Sequence, residues 1–331
     1  MSQEMTKVFE TPEGCDLVVK NIQGIILVKG WDRPQTEVLV VKHKDGVEVE
    51  MHQDGRKVVI ETKQDNDGLG GILNWLSGKG VPTVDYTVHV PYNSNVKLSN
   101  VSGPITVTEI EGTVRTENVD GPTKLHSVHG KVKANTVNGS LKTVDLEGEV
   151  KLNAVNGELK VKGGRLSGLK AEAVNGKIDV SAAFDPAGCY AFHTVNGSCH
   201  LRFAAGLRAR VSVKGLNTHV SCDLPTEEVE KHFGSWTGIV GQGDGPLAKV
   251  SFDTVNGHLH ILGGEKATGG EKATADETVP FVAKAETQEA PAEPVVVKVV
   301  EKEAPSQAQV LKMVEQGEIG VEEALKLLKG E

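Results

Sequence analysis

The sequence predicts an all-β fold, a right-handed parallel β-solenoid (β-helix-like) with coils of about 18 residues. A short phrase ending in glycine recurs from Val-Ser-Gly103 to Val-Asn-Gly157, and its glycines fall nine residues apart. Apolar positions between these glycines recur at intervals of two, three and four. Aromatic residues make up only 4% of the chain, and glycine contributes 38 of its 331 residues. A chain wound into regular coils around a core of small side chains accounts for the glycine spacing, the apolar intervals and the composition.

The intervals between apolar positions decide between a coil and a meander. Asn-Gly between apolar runs also favours antiparallel hairpins, which keep a steady interval of two. The interval of three marks a bend inside each unit, and repeated bends in one sense wind a chain into coils. Right-handed winding follows from the rule for parallel crossovers. The predicted corners are Gly103, Gly112, Gly121, Gly130, Gly139, Gly148, Gly157, Gly176, Gly197 and Gly257. The predicted inward residues are Ile105, Val107, Ile110, Val114, Thr116, Val119, Thr123, Leu125, Val128, Val132, Ala134, Val137, Leu141, Thr143, Leu146, Val150, Leu152 and Val155.

The chain divides into four predicted segments. Residues 1–100 alternate apolar and polar residues and form the β-strands at the start of the solenoid, and residues 101–263 form its repeats. Residues 264–305 are rich in Ala, Glu, Lys and Pro, which predicts a disordered linker. Residues 306–331 predict a helical hairpin for docking or self-association, with two apolar stripes that contain Val310, Leu311, Val314, Leu325 and Leu328.

Two stretches interrupt the strand pattern. Residues 64–81 are glycine-rich and carry apolar side chains, including Leu69, Ile72, Trp75 and Leu76. They form either a flap over the end of the solenoid or an exposed tip for a partner or membrane. Residues 223–233 predict a helical turn capped by Thr226.

Charge and composition narrow the function classes. A net charge of −9 argues against non-specific binding of nucleic acid, which needs a basic surface. The sequence shows neither a secretory signal nor an apolar run near the length that spans a bilayer. We therefore expect a cytoplasmic protein, with a peripheral position on a membrane as the alternative. No cofactor, metal or small-molecule substrate is expected.

Several polar residues are candidate sites. Outward positions collect Arg115, Lys131, Lys133 and Lys151, a basic stripe that either binds an acidic partner or lipid headgroups or keeps a sheet face soluble. Cys189, His193, Cys199 and Cys222 match no zinc spacing, and Cys199 falls at an inward position. His258, His260 and the equivalent His200 point outward, as a solvated face or a weak metal site. Glu158 and Asp179 are the sole carboxylate pair that hints at a polymer-acting enzyme.

The repeated Val-Asn-Gly phrase, with Val84–Pro91 leading into Val-Ser-Gly103, resembles a bacterial β-strand-repeat family of unknown function and adhesin type. The likeness covers residues 15–263 and implies a right-handed β-helix-like fold. Residues 310–328 look like the SHOCT-like helical hairpin that accompanies such domains, with Gly320 where the second helix usually has Ser or Thr. The resemblance brings no catalytic residues.

These observations favour a non-enzymatic scaffold or interaction protein. Its rigid solenoid would be tethered to a helical hairpin that docks on a protein partner or on a second copy. The first alternative is a peripheral membrane or cell-envelope-stress component of adhesin type. The second is a β-helix enzyme that acts on polymers.

Overall fold

The computed structural model describes residues 3–43, 47–64, 83–243 and 245–264, which lie in the first of two compact units, Met1–Glu271. These residues form β-strands, turns and bends, and none of them is helical. The apolar cluster 69–76, most of the linker 264–305 and the hairpin 306–331 lie outside the described residues. The strands are β1 Gln3–Glu10, β2 Asp16–Gln23, β3 Ile26–Trp31, β4 Gln35–Lys42, β5 Val47–Asp54, β6 Lys57–Gln64, β7 Val84–Pro91, β8 Asn95–Ser102, β9 Ile105–Asp120, β10 Thr123–Asn138, β11 Leu141–Asn156, β12 Leu159–Phe203, β13 Arg208–Cys222, β14 Thr226–His232, β15 Ser235–Val240 and β16 Leu247–Gly263.

The central strands are successive coils of a parallel solenoid. Thr123 pairs with Ile105 on one side and with Leu141 on the other, so neighbouring coils are eighteen residues apart. The predicted coil length is therefore confirmed. A register shift between Gly148 and Glu149 adds one residue to the next coil. The right-handed winding stays a prediction.

One predicted inward position in each coil is wrong. Val119, Val137 and Val155 are 41%, 38% and 39% exposed, whereas the residues before them, Asn118, Thr136 and Ala154, are buried. The two halves of a coil bend differently. In the first half, a residue with positive φ such as Asp145 (φ 56°) turns the chain between inward residues. The second half runs straight, so its third inward residue comes one position earlier than the repeat alignment predicts.

Stacked glycines form the predicted corners. The φ angle is positive at Gly103, Gly121, Gly130, Gly139, Gly148 and Gly157. At Gly112, Gly176, Gly197 and Gly257 the backbone lies outside the left-handed region, yet an added Cβ would come within 3.0 Å of a neighbouring backbone or side-chain atom. Close stacking therefore requires glycine at these positions even where φ does not.

The end of the sheet formed by β13 to β16 has a topology that the repeat pattern does not predict. In the strand order, β16 lies between β12 and β13, although it is the last of the three in sequence. β15 pairs antiparallel with β13, and β14 pairs antiparallel with β15. The helical turn predicted for residues 223–233 is therefore wrong, because Thr226–His232 is a strand of this hairpin. At the other end of the sheet, β1, β4 and β7 pair antiparallel.

A continuous core runs through the described coils. It consists mainly of Val, Leu, Ile and Ala, as the low aromatic content predicts. The large aromatic side chains that are fully buried lie towards its ends: Tyr86, Tyr190, Phe192, Phe203 and Phe252. Cys199 is fully buried, which confirms its inward position, and burial raises the pKa of its thiol.

Candidate interaction surface

An exposed apolar row follows one corner of the solenoid. It consists of the residue before each corner Asn, Asp or Ser, and the strand register places these residues in line on successive coils. The valines are 38–43% exposed and Leu216 is 69% exposed. We call this row the valine ridge: Val101, Val119, Val137, Val155, Val174, Val195, Val255 and Leu216.

The spacing of the ridge follows from the backbone. Neighbouring parallel strands lie about 4.8 Å apart, so the ridge side chains contact one another along the stack. Each valine of the ridge follows a buried residue, at the point where the chain leaves the straight half of the coil, so the valine and the residue after it both face outward. The row exposes about 500 Å² of apolar surface, which is near the upper size for the largest patch on a monomer. The largest apolar patch on a monomer is often functional.

A ladder of asparagine side chains runs beside the valine ridge. Each side-chain amide donates to the carbonyl oxygen of the next: Asn156 to Asn138 (3.1 Å), Asn175 to Asn156 (3.2 Å), Asn196 to Asn175 (3.2 Å), Asn256 to Asn196 (3.0 Å) and Asn217 to Asn256 (2.8 Å). These bonds hold the corners of the coils in register. They give the ridge a rigid polar border.

Two basic columns flank the corner on its two sides. The predicted stripe is larger than the sequence indicated, because the register aligns Lys97, Arg115, Lys133, Lys151 and Lys170. Lys131 is not in that column, since it pairs in register with Thr113 and Glu149. The second column, which the sequence analysis missed, contains Lys124, Lys142 and Lys160. Lys170 was missed because the register shift displaces it from the nine-residue alignment.

Arg115 and Lys170 of the first column are neutralised, and the two lysines between them are not. Arg115 contacts Glu117 at 2.6 Å, and Lys170 contacts Glu172 at 2.5 Å. Within the part of the chain that the structure describes, Lys133 and Lys151 have no carboxylate at ion-pair distance. The free positive charge therefore lies beside the centre of the valine ridge.

Of the other candidate sites, the structure brings together only the histidines. Cys199 is buried while Cys189 is exposed, so the cysteine and histidine set considered for a metal does not come together. Asp179 forms an ion pair with Lys177 at 3.2 Å, which leaves Glu158 without a matching free carboxylate. His200, His258 and His260 do meet on one face. They are joined by His219, which the sequence analysis missed because Thr218 replaces the glycine of the repeated phrase.

A cleft of about 330 Å³ near Trp31 is a weaker candidate for a binding site. The Arg33 guanidinium lies 4.8 Å from the centre of the Trp31 ring, and His89 stacks on that ring at 4.9 Å. The indole face that could stack on a ligand is therefore already in contact with side chains of this chain. In the described ranges, no helix has the length and apolar character needed to cross a membrane.

Comparison with known proteins agrees with this architecture. Residues 28–261 match the family described as Toastrack DUF4097. The chain belongs to the Toastrack DUF4097 family. The match covers most of the described solenoid, from β3 to β16, and agrees with the β-strand-repeat family of unknown function that the sequence resembled. No curated protein matches the Toastrack chain.

Solved structures similar to the Toastrack chain have low sequence identity with it. One is a candidate adhesin from Bacteroides fragilis, with 10% identity, coverage of 78% of this chain and 97% of that chain, and a TM-score of 0.46. A candidate lipid-binding protein from Parabacteroides distasonis has 9% identity, 78% and 96% coverage and a TM-score of 0.31. A candidate cell adhesion protein from Clostridium sporogenes has 9% identity, 80% and 100% coverage and a TM-score of 0.29.

Proposed function

We propose that this Toastrack protein is a non-enzymatic interaction scaffold that associates with a second copy of itself through the valine ridge. The observation that carries the proposal is the straight row of eight exposed apolar side chains on the solenoid corner. Transfer of such side chains out of water is favourable by about 25 cal/mol per Å² of apolar surface. A rigid solenoid presents the row already ordered, so association costs little conformational entropy.

A second copy matches the ridge better than an unrelated surface does. Its valines repeat with the same spacing, so each of the eight positions on one ridge meets an apolar group on the other. A two-fold interface in which the ridges run antiparallel also suits the charges. It sets Lys97, Arg115 and Lys133 of one copy against coils where the first column continues as Ser212, Ser251 and Ala191. At the centre Lys151 faces Lys170, whose charge is paired with Glu172. Parallel ridges would instead oppose like charges.

The size of the ridge sets the expected strength. Two ridges bury a total of about 1,000 Å², the low end for specific interfaces. We therefore expect a reversible dimer with a dissociation constant between about 1 µM and 1 mM. Sedimentation equilibrium of the full chain across that range measures it.

Substitutions at the centre of the ridge test the proposal. The double variant Val155→Asp with Val174→Asp places charges at the middle of the interface, where an antiparallel pair of ridges contacts itself, and should abolish the dimer. Val229→Asp is the matched control, because Val229 is 41% exposed but lies in β14, away from the ridge. Circular dichroism checks that each variant is folded. A wild-type protein that stays monomeric throughout, or a double variant that dimerises normally, contradicts the proposal.

The basic columns support a second candidate function, a component that binds an anionic membrane surface. Lysine side chains near such a surface contribute about 1 kcal/mol each. In this alternative the protein is cytoplasmic and peripheral to a membrane. Co-sedimentation with vesicles containing phosphatidylserine separates the two functions: Lys133→Glu with Lys151→Glu should abolish vesicle binding and leave dimerisation through the valines intact. Binding that is insensitive to salt contradicts the membrane alternative.

The helical docking hairpin remains part of the proposal. Residues 306–331 lie outside the described residues, and their apolar stripes are a sequence-based expectation. Deleting them should change the oligomeric state or the proteins captured by the chain. An unchanged state and unchanged partners would remove the docking role and leave the ridge proposal standing.

A further inference from the structure

Three neighbouring coils gather four histidines on one outward sheet face. His200 of β12 pairs in register with His260 of β16. His258, two residues before His260, pairs with His219 of β13. The chain order of these strands gives no hint of this arrangement, because β16 inserts between β12 and β13. We call the four residues the histidine face.

The rings of the histidine face are close to one another. The ring centres are 5.8 Å apart for His200 and His260, 6.0 Å for His258 and His260, and 4.9 Å for His219 and His258. Imidazole nitrogens bind Zn²⁺ at about 2.0–2.1 Å, so two rings that share one ion have centres about 5–6 Å apart. The observed spacing therefore lies in the range that a shared ion requires.

The surroundings favour the neutral form of two of these rings and give two of them hydrogen-bond partners. Burial, followed by the charge of Lys177, lowers the pKa of His200. Burial and the neighbouring imidazoles lower the pKa of His258. Ser221 Oγ lies 2.9 Å from His258 Nε2, and Asp223 Oδ1 lies 3.4 Å from His260 Nε2. Neutral imidazole is the form that binds a metal, and a carboxylate on the second nitrogen is its usual orienting partner.

We propose that the histidine face binds a divalent transition-metal ion such as Zn²⁺, with His200, His258 and His260 as ligands and His219 beside them. As they stand, the described side chains contain no group of three His, Cys, Asp or Glu already gathered around one point. Binding therefore needs rotation of the imidazoles about their side-chain bonds. Such rotations are fast for side chains that are partly exposed, as these are.

The proposal rests on different side chains from the self-association proposal, because the residues of the histidine face follow the corner and those of the valine ridge precede it. Zn²⁺ titrated into the untagged full chain, followed by isothermal titration calorimetry, should show one ion per chain with a dissociation constant in the micromolar range.

Single substitutions decide which residues bind the ion. His258→Ala and His260→Ala should each weaken Zn²⁺ binding by about tenfold or more. His126→Ala is the control, since His126 is exposed and pairs in register with Thr108 and Val144, which are poor ligands. Cys189→Ser tests whether the exposed thiol contributes instead. No heat of binding, or equal affinity in the two histidine variants and the wild type, overturns the proposal.

Discussion

Gly148 passes closer to the neighbouring coil than any other residue type allows. Its φ is 117°, and an added Cβ would lie 2.2 Å from the carbonyl oxygen of Gly130. Two separate penalties therefore apply to a side chain here, a strained backbone and a steric clash. Gly206 has a φ of 83° but nothing within 4 Å of an added Cβ, so it carries only the first penalty.

Alanine at these two glycines should separate the two penalties. Gly206→Ala is expected to cost about 1 kcal/mol of unfolding free energy through the strained φ alone. Gly148→Ala should cost about 3 kcal/mol or more, because the coils must also move apart. Urea denaturation of both variants measures the difference. Equal losses of unfolding free energy in the two variants would mean that the coils accommodate the added methyl group at no energetic cost.

Tyr86 is a fully buried phenol near the N-terminal end of the core. Its hydroxyl lies 2.6 Å from the Thr62 hydroxyl. Burial raises the pKa of Tyr86 to about 12, and the bond to Thr62 opposes part of that rise. Burial also raises the pKa of Tyr190 to about 12. Both groups bind their proton more tightly in the folded chain than in the unfolded chain, where the pKa is about 10.

The raised pKa values predict how stability depends on alkaline pH. The contribution of these two tyrosines is complete below pH 10 and is lost as the pH rises from about 10 to about 12. Absorbance at the tyrosinate wavelength should show two of the three tyrosines ionising only near pH 12 in the native protein. Tyr86→Phe should remove one of these steps. Ionisation of both with a pKa near 10 in the folded chain would contradict the prediction.

At the scale of elements, β16 holds the C-terminal coils together. It pairs in parallel with β12 on one side and with β13 on the other. No pairing joins β12 directly to β13 in the strand order of the described residues. β13 and its hairpin partner β15 therefore depend on a strand that comes after both of them in the chain. Phe252, fully buried in β16, anchors that strand in the core.

Truncation of Phe252 should loosen the two neighbours of β16 together. Phe252→Ala is expected to cost about 3–5 kcal/mol, whereas Phe233→Ala should cost almost nothing, because Phe233 is 97% exposed. Hydrogen exchange should quicken in both β12 and β13 of the Phe252 variant and stay unchanged in β10. Faster hydrogen exchange in β16 alone would show that β12 and β13 stay folded without support from β16.

For the whole described unit, the core decides how unfolding proceeds. Repeat arrays can lose cooperativity, since each coil contacts only its neighbours. Here one hydrophobic cluster extends from Phe9 to Ile261 without interruption. The mixed antiparallel strands at both ends also tie the terminal coils to the stack. We therefore expect residues 3–264 to unfold in one transition.

Two tryptophans report on opposite ends of the sheet. Trp31 ends β3, and Trp236 lies in β15. Variants that keep only one of them, with Phe at the other tryptophan positions, should give the same urea midpoint by fluorescence as by circular dichroism. Two distinct midpoints would show that the ends unfold separately.

The candidate surfaces show where sequence reasoning stops. The middle of the basic stripe was predicted because Arg115, Lys133 and Lys151 lie eighteen residues apart, at equal positions of regular coils. Lys170 was not predicted, because the register shift between Gly148 and Glu149 breaks the eighteen-residue spacing. Val119, Val137 and Val155 of the valine ridge were predicted to face inward, since an exposed valine and a buried one look alike in a repeat. Only the position of each bend tells them apart.

By itself the sequence determined the parallel coil of eighteen residues, its glycine corners and the burial of Cys199, because these depend on local spacing and on backbone geometry. Tertiary structure alone decided that Val119, Val137 and Val155 face outward, because their orientation depends on the unequal bends of the two half-coils. It also decided the insertion of β16 and the meeting of His219 with His258. Those contacts join residues far apart in the chain through backbone pairing, which leaves no periodic mark on the sequence.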